Sequence, residues 1–446
     1  MDGRVGQTIY RQRWRIWIVA VLAHTIGMFH RAAMAPVADR IMADFNISAL
    51  AFGSFAAVYS YIYCAMQLPS GAIADTIGPR KTITTGLLLS TLGSIIMGIA
   101  PSLGLLYLGR IIVSFGVSIV WLSAIKVLMG WFHSRELASI MGVSVSLAHL
   151  GQIAATTPLA LLVMWIGWRV SFVTIGLVGL ALAVASWLIV RDSPAHVGLP
   201  PIQKLNEQTN PQATKPPNEL HLGLAQKFRI VFKNKYILPL FLLPLGTYGA
   251  YSTLFHNWAV VYLMHTYDVP RDFAANFVLI STIGLMVGGP TAGLLSDRVL
   301  KKRRLPIVLF TGLTLTCFLL LGLWNGSKPP LESLYPLCFF AGFGTSGVSI
   351  SFACVGDMVQ PSVRGIASGL VNTGGFVGAA IAQPLFGHIL DLGWQGEMMG
   401  GARLYPVEAF QRGILLCCVL AAVSFISALL VKETHCHVSH IIEEQF

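Results

Sequence analysis

Apolar residues crowd this chain in runs of about twenty or more, divided by short polar breaks. The runs are continuous rather than alternating, so they read as helices apolar on all sides, not as half-buried strands. A hydrocarbon core about 30 Å thick needs about 20 such residues per helix. Twelve runs meet that length: about 15–40, 49–74, 81–99, 104–130, 137–163, 168–190, 237–264, 274–296, 305–324, 332–356, 365–390 and 409–431. The first follows Arg11, Arg13 and Arg15 and shows no small-residue cleavage site, so it is expected to be a retained span rather than a removed signal peptide. The pattern predicts an all-α integral membrane protein with twelve transmembrane helices.

The segment 191–236 breaks the rhythm. It gathers Pro194, Pro200, Pro201, Pro211, Pro216 and Pro217 among polar residues and reads as a loop between two six-helix halves, 1–190 and 237–446. Its end, "LGLAQKFRIVFKNKY", has the pattern of a short amphipathic helix lying on the membrane. The halves echo each other. "GAIADTIGPRK" (Gly71–Lys81) and "GLLSDRVLKKR" (Gly293–Arg303) join the second to the third and the eighth to the ninth run, at one offset of 222 residues. "RELAS" at Arg135 is matched by "RGIAS" at Arg364. Two such repeats imply a substrate site between them, near the bilayer midplane.

Composition agrees. The 446 residues are 55% hydrophobic and only 11% charged, with a mean hydropathy of +0.70. The net charge of +11 would suit a nucleic-acid binder if it formed one patch. Instead most of the 30 Lys and Arg fall in alternate loops, including Arg80, Lys81, Arg135, the group Arg298 to Arg304, and 191–236. The positive-inside rule then places both ends in the cytoplasm, with a bacterial inner membrane as the expected site and no nucleic-acid partner. Seven cysteines without a CxxC spacing are expected to be reduced, buried apolar residues. The tail His435-Cys436-His437 with His440 reads as a solvated tail, with metal binding as the alternative.

The clear cases of charge within the runs and away from the loops are Arg31, Arg110 and Lys126. A charge at the bilayer centre costs roughly 2.5–3.5 kcal/mol on insertion scales, so it normally faces protein or a water-filled cavity. No acid lies at the same depth. Asp39 and Asp44 are at the outer end of the first run, and Asp357 is at the cytoplasmic end of the tenth. The cavity is expected to be electropositive and to favour an anion. Arg31 is the expected ligand, with His24 and Gly27 on its helical face. Lys126 is either a second ligand or a side chain that snorkels to the cytoplasmic edge. Arg110 is open between a ligand role and a structural or coupling role. His149 and Gln152 in the fifth run, and Tyr248, Tyr251, Ser252, His256 and Asn257 in the seventh, are the expected neutral polar lining. His149 is open between a packing residue, a substrate ligand and a proton carrier.

The paired G-x-x-x-D loop resembles the signature of the major facilitator superfamily, over essentially the whole chain. Thr76 departs from it where that family usually has a basic residue; the second copy keeps Arg298. The resemblance implies that Asp75, Arg80, Arg135, Asp297, Arg298 and Arg364 are gating residues rather than ligands. "RDSPAHVGLPPI" (Arg191–Ile202), the seventeen-residue spacing from Trp14 to Arg31, and "AH" at Ala148-His149 resemble the organophosphate:phosphate antiporters. Lys126 stands where that family has an arginine. Three of its cationic positions are replaced here by Ala32, Gln67 and Ser252, so half of the phosphate clamp is missing. "QLPSGAIAD" (Gln67–Asp75) resembles instead the anion:cation symporters.

The expectation is a monomeric secondary transporter of a small organic anion, working by alternating access with a coupling proton or counter-anion. No phosphate-binding G-x-x-x-x-G-K-[ST] sequence occurs, so no nucleotide cofactor is expected and energy must come from gradients. A transporter-like sensor, an exporter of an amphipathic compound and, weakest, a membrane enzyme are the rivals.

Overall fold

In a computed structural model, the described residues are 3–67, 69–132, 134–194, 224–324, 328–399 and 401–436. Almost all of them are helical. A two-residue hairpin, Met398–Met399 paired with Ala402–Arg403, is the one antiparallel ladder among them.

Among the described residues, ten helices are long and apolar enough to cross a membrane, or eleven if a bent pair counts as one span. The bent pair is the first expected run. A helix from Gly3 to Ala32 gives way to a 3-10 turn at Ala35–Val37 and a short helix Ala38–Phe45, with a 47° bend. Pro36 lies at the start of that turn. Its missing N–H and fixed ring disfavour a straight, continuous helix there. The second expected run is shorter than predicted. It ends at Met66, and a new helix starts at Pro69.

The fifth and sixth expected runs are joined into one apolar stretch, Ile140–Ile189. Only "MWIG" (164–167) lies between them, with no polar loop to separate them. A straight helix of that length would measure about 75 Å, more than twice a bilayer core of about 30 Å. The break falls at Gly167, whose φ of 77° lies in the region that glycine tolerates without strain.

By contacts the chain forms two compact units. One holds Met1–Arg31, Ala65–Ala155 and Leu162–Asn218; the other holds Ala32–Cys64, Thr156–Leu161 and Glu219–Phe446. In the first unit, helices Pro79–Ile99 and Leu103–Trp131 pack backbone to backbone. A Cβ added at Gly86 would lie 2.7 Å from the Gly116 carbonyl oxygen. Small residues allow such approach where no hydrophobic effect drives helices together.

The second unit is tied at both ends by charged networks. At one end Arg303 donates Nε to Asp357 at 2.8 Å and Nη1 to Ser296 and Asp297. The Thr434 hydroxyl donates to the same Asp357 carboxylate at 2.8 Å. Burial alone would raise the Glu433 carboxyl, but the backbone N–H groups of Arg303, His435, Arg304 and Thr434 hold it below its ordinary value. At the other end Arg271 donates both Nη atoms to Asp39 and one of them also to the Pro36 carbonyl. Asp391 there caps the helix Ala49–Met66, accepting from the backbone N of Ala49 and Leu50 at 3.0 and 2.8 Å. Tyr405 and Arg403 donate to the same carboxylate at 3.0 Å. The bonds of Arg271 and those of Asp391 to Ala49 and Leu50 join residues 32–64 to the later helices.

Leu224–Lys233 is helical, as its pattern predicts. Val231 buries into a core with Ile237, Ile350 and Val363. The cysteines are free thiols, five of them buried. No metal-holding group occurs among the described residues; His437 and His440 of the tail lie outside them, as do residues 195–223 of the expected loop.

Candidate functional site

The first unit gathers Arg31, His24, His149, Gln152 and Trp121. Arg31 and His30 form the last turn of the helix Gly3–Ala32. The last four carbonyls of a helix lack intrahelical partners and carry partial negative charge, which favours a cation there. The helix end at Ala32 thus gives a physical reason for a charge at this point of an apolar run. His30 is buried, and Arg110 donates Nη1 to its carbonyl at 3.0 Å. Arg110 itself is 1% exposed. Arg110 thus bonds the carbonyl of the residue beside Arg31 at this helix end.

His24 lies two turns before Arg31. Its ring stacks on Trp121 with centroids 4.1 Å apart. His149 donates Nδ1 to the Val145 carbonyl at 2.8 Å, which makes Nε2 the unprotonated nitrogen of the neutral ring. His24, His149 and Arg31 lie within electrostatic reach of one another. Gln152 is buried, and its Oε1 has no hydrogen-bond partner among the described residues. Lys126 is half-buried, on the same helix as Trp121.

Three contacts hold the first and fifth runs in parallel register. Arg13 pairs with Glu136 at 2.8 Å, the Trp17 indole donates to Ser144 at 2.8 Å, and Gly151 packs on the Thr25 carbonyl. That register brings His149 and Gln152 to the helix carrying His24 and Arg31. A Cβ at Gly151 would collide with the backbone of Thr25, whereas one at Gly142, on the same helix, meets nothing. Gly151→Val is expected to lower stability by about 1–3 kcal/mol, the usual cost of overpacking, and to reduce transport more than tenfold. Gly142→Ala is expected to be neutral. Melting of the purified variants with parallel uptake assays checks both.

The second unit holds the other candidates. Helix Ile237–Thr253 widens into a π-helical turn, Leu254–Trp258, before continuing as Ala259–Tyr267. Tyr248 is half-buried, with its ring 5.9 Å from Phe376, which in turn stacks on Tyr63. Tyr251 is fully buried and its hydroxyl accepts from Ser281 at 3.2 Å. His256 is buried, with Tyr248 and Tyr251 edge-on to its ring. Ser252 and Asn257 are buried too. The partner of Ser252 is Gln383, which donates Nε2 to its hydroxyl at 3.2 Å. The sequence reading passed over Gln383; the signal was a lone amide before Pro384 in "AAIAQPLFG".

Of the expected gating residues, Arg80 donates to the Trp187 carbonyl through Nε at 3.0 Å, and its backbone N to Asp192 at 2.6 Å. Asp297 is bound by Arg303. Arg298 is exposed. Arg364 donates to the Gly356 carbonyl at 2.7 Å. The side chains of Asp75 and Arg135 lie outside those described. A groove of about 550 Å³ in the first unit is lined by Ile77, Lys81, Leu88, Val184, Trp187 and neighbours. It is nearly all apolar and involves none of the polar candidates, as expected of a lipid-facing surface.

Comparison with known proteins agrees with this architecture. The family model described as Major Facilitator Superfamily matches residues 20–383 and 257–435. A probable sulfoacetate transporter of Cupriavidus necator is 24% identical over 393 residues, 85% of this chain and 88% of that protein. A probable hexose phosphate transport protein of Chlamydia muridarum is 23% identical, covering 86% of each. Among solved structures, a bacterial homolog of the human lysosomal transporter Spinster shares the fold, with a TM-score of 0.69 at 16% identity, over 94% of this chain and 97% of that one.

Proposed function

Because the chain belongs to the major facilitator superfamily, we propose that it is a secondary active transporter that moves a small organic anion by alternating access, coupled to protons or a counter-anion. It is a multi-pass membrane protein of transporter type; the substrate class and mechanism are the proposal. The observation that carries it is Arg31. A guanidinium stands at a helix end inside the membrane, fixed from behind by Arg110 and flanked by His24 and His149. Of the acids that the sequence places nearest, Asp39, Asp44 and Asp357, the first is bound to Arg271 and the last to Arg303. Sulfoacetate and hexose phosphate, the substrates named for two relatives, are both anions. The two termini and 191–236 are placed in the cytoplasm, on the distribution of basic residues.

In this proposal Arg31 holds the anion bidentately. His149 offers Nε2 to the substrate or carries the coupling proton, and Lys126 adds positive potential. One guanidinium matches one carboxylate or sulfonate. A doubly charged phosphate would leave one charge buried without a partner, at several kcal/mol, because Ala32, Gln67 and Ser252 supply no further cations. Monocarboxylates and sulfonates are therefore expected to raise the melting temperature of the purified protein at millimolar concentration, and inorganic phosphate is not. Stabilisation by phosphate with none from carboxylates or sulfonates would refute the single-charge reading.

A further inference from the structure

One outer corner of the first unit carries positive charge that the fold does not match. Thr84 bonds Ser186 and Ser94 bonds the Phe172 carbonyl, so helices Pro79–Ile99 and Thr157–Ile189 are antiparallel there. The start of one lies beside the end of the other. At that junction Arg80 donates Nε to the Trp187 carbonyl at 3.0 Å, and its guanidinium lies 4.3 Å from the centroid of the Trp187 ring. Arg191 donates Nη1 to the same carbonyl at 3.3 Å and to that of Val190 at 2.8 Å. Two guanidinium groups thus meet at one oxygen. The Trp131 indole donates to the Arg191 carbonyl at 2.7 Å, and Asp192 accepts from the backbone N of Arg80 at 2.6 Å, so the turn is pinned on two sides. Lys81 stands exposed beside it.

Capping accounts for part of this, because the last carbonyls of a helix attract cations. It does not balance the charge. Lys81, Arg80 and Arg191 bring three positive charges and Asp192 one negative, a net of +2. The helix start and the helix end add roughly +0.5 and −0.5, which cancel. Among the described residues no carboxylate pairs with any of the three basic side chains, and the Lys81 ammonium has no partner.

The apolar groove of about 550 Å³ shares Lys81 and Trp187 with this corner. Lys81, Thr85 and Leu88 form one wall, a single helical face at i, i+4 and i+7; Val184, Trp187 and Leu188 form the other. Leu88 is 45% exposed, Val184 52% and Leu188 62%, and both helices lie in spans apolar enough to cross a membrane. The groove therefore opens to the bilayer, and what fills it comes from there. A groove that is apolar along its length and cationic at one end fits an amphiphile with an anionic head. A second copy of the chain would bring the same positive corner. A soluble anion would use the corner and leave the groove empty. Basic pockets between membrane helices on the cytoplasmic side, where the leaflet is negative, recruit anionic head groups.

We propose that this corner and groove form a site for one anionic phospholipid. Lys81 and Arg191 hold its phosphate, and an acyl chain lies along Leu88, Val184 and Leu188. The inference is independent of the substrate; it takes from the proposed function only the orientation, which puts the lipid in the cytoplasmic leaflet.

Native mass spectrometry of the full-length protein tests it, with phosphatidylglycerol and phosphatidylcholine of identical chains titrated separately and the first bound lipid followed. The wild type is expected to prefer phosphatidylglycerol by about tenfold or more, since each basic residue near the membrane surface is worth about fivefold. Lys81→Gln is expected to lower that preference about fivefold, and Lys81→Gln with Arg191→Gln at least about tenfold, with phosphatidylcholine binding within about twofold of wild type. Lys81→Arg should keep the preference. Lys81 makes no bond within the described fold, so the single variant decides if the double variant does not fold. Equal affinities for the two lipids in the wild type, or an unchanged preference in Lys81→Gln, would overturn the site and leave the corner as a helix cap. Displacement of the bound lipid by millimolar glycerol phosphate would overturn it too, and would make the corner a site for soluble anions.

Discussion

Arg31→Ala should lower anion uptake by at least about a hundredfold while leaving expression and melting nearly unchanged. Loss of one partner of a desolvated, hydrogen-bonded charge pair costs about 2–5 kcal/mol or more, and each 1.4 kcal/mol is tenfold in affinity. The fold does not share that dependence. The end of the first helix is capped by Arg110 through the carbonyl of His30, and this bond survives the substitution. Arg31→Lys should recover only part of the activity, because an ammonium is a point charge and not a planar fork. Initial rates in proteoliposomes, read beside melting curves, check both variants. Wild-type rates in the alanine variant would remove Arg31 from the site.

Breaking the pair Arg271–Asp39 should change the transport cycle rather than the binding chemistry. Arg271 is 5% exposed and grips Asp39 with both Nη atoms while also holding the Pro36 carbonyl. Removing one member of a buried pair typically costs 3–5 kcal/mol. Where the pair exists only with these ends closed, that cost shifts the population toward the open form by two orders of magnitude or more. Arg271→Gln should therefore cut uptake at least tenfold and speed labelling of a cysteine placed at Ala49, which is buried and bonded to Asp391 at the same end. The exchange Asp39→Arg with Arg271→Asp should restore part of both. Unchanged labelling in Arg271→Gln would show that the pair is not a latch.

The apolar spans, their repeat and the unusual charge of Arg31 were all legible in the sequence, because each is a local pattern. Hydropathy counts residues along the chain, and a lone arginine in an apolar run stands out. The joining of the fifth and sixth spans was not legible in the same way. It depends on a single positive φ at Gly167 and not on a polar loop. Contacts between distant segments were out of reach. Asp39 was noted as an outer-end acid, but its partner lies 232 residues away; Asp391 reaches Ala49 across 342. Arg110 was visible as a charge in an apolar run, but its bond to the His30 carbonyl was not. Gln383 was visible as a letter, and its bond to Ser252 comes only with the packing.

The central claim is that this chain carries a small organic anion, and flux tests it most directly. The purified protein is reconstituted into liposomes, and uptake of a labelled monocarboxylate or sulfonate that raises its melting temperature is followed under an imposed proton gradient or with counter-anion inside. The account predicts saturable uptake above that of protein-free liposomes, driven by one of the two gradients and abolished by Arg31→Ala. Binding of the anion without flux under either gradient would contradict it, and would make the protein a sensor built on a transporter fold.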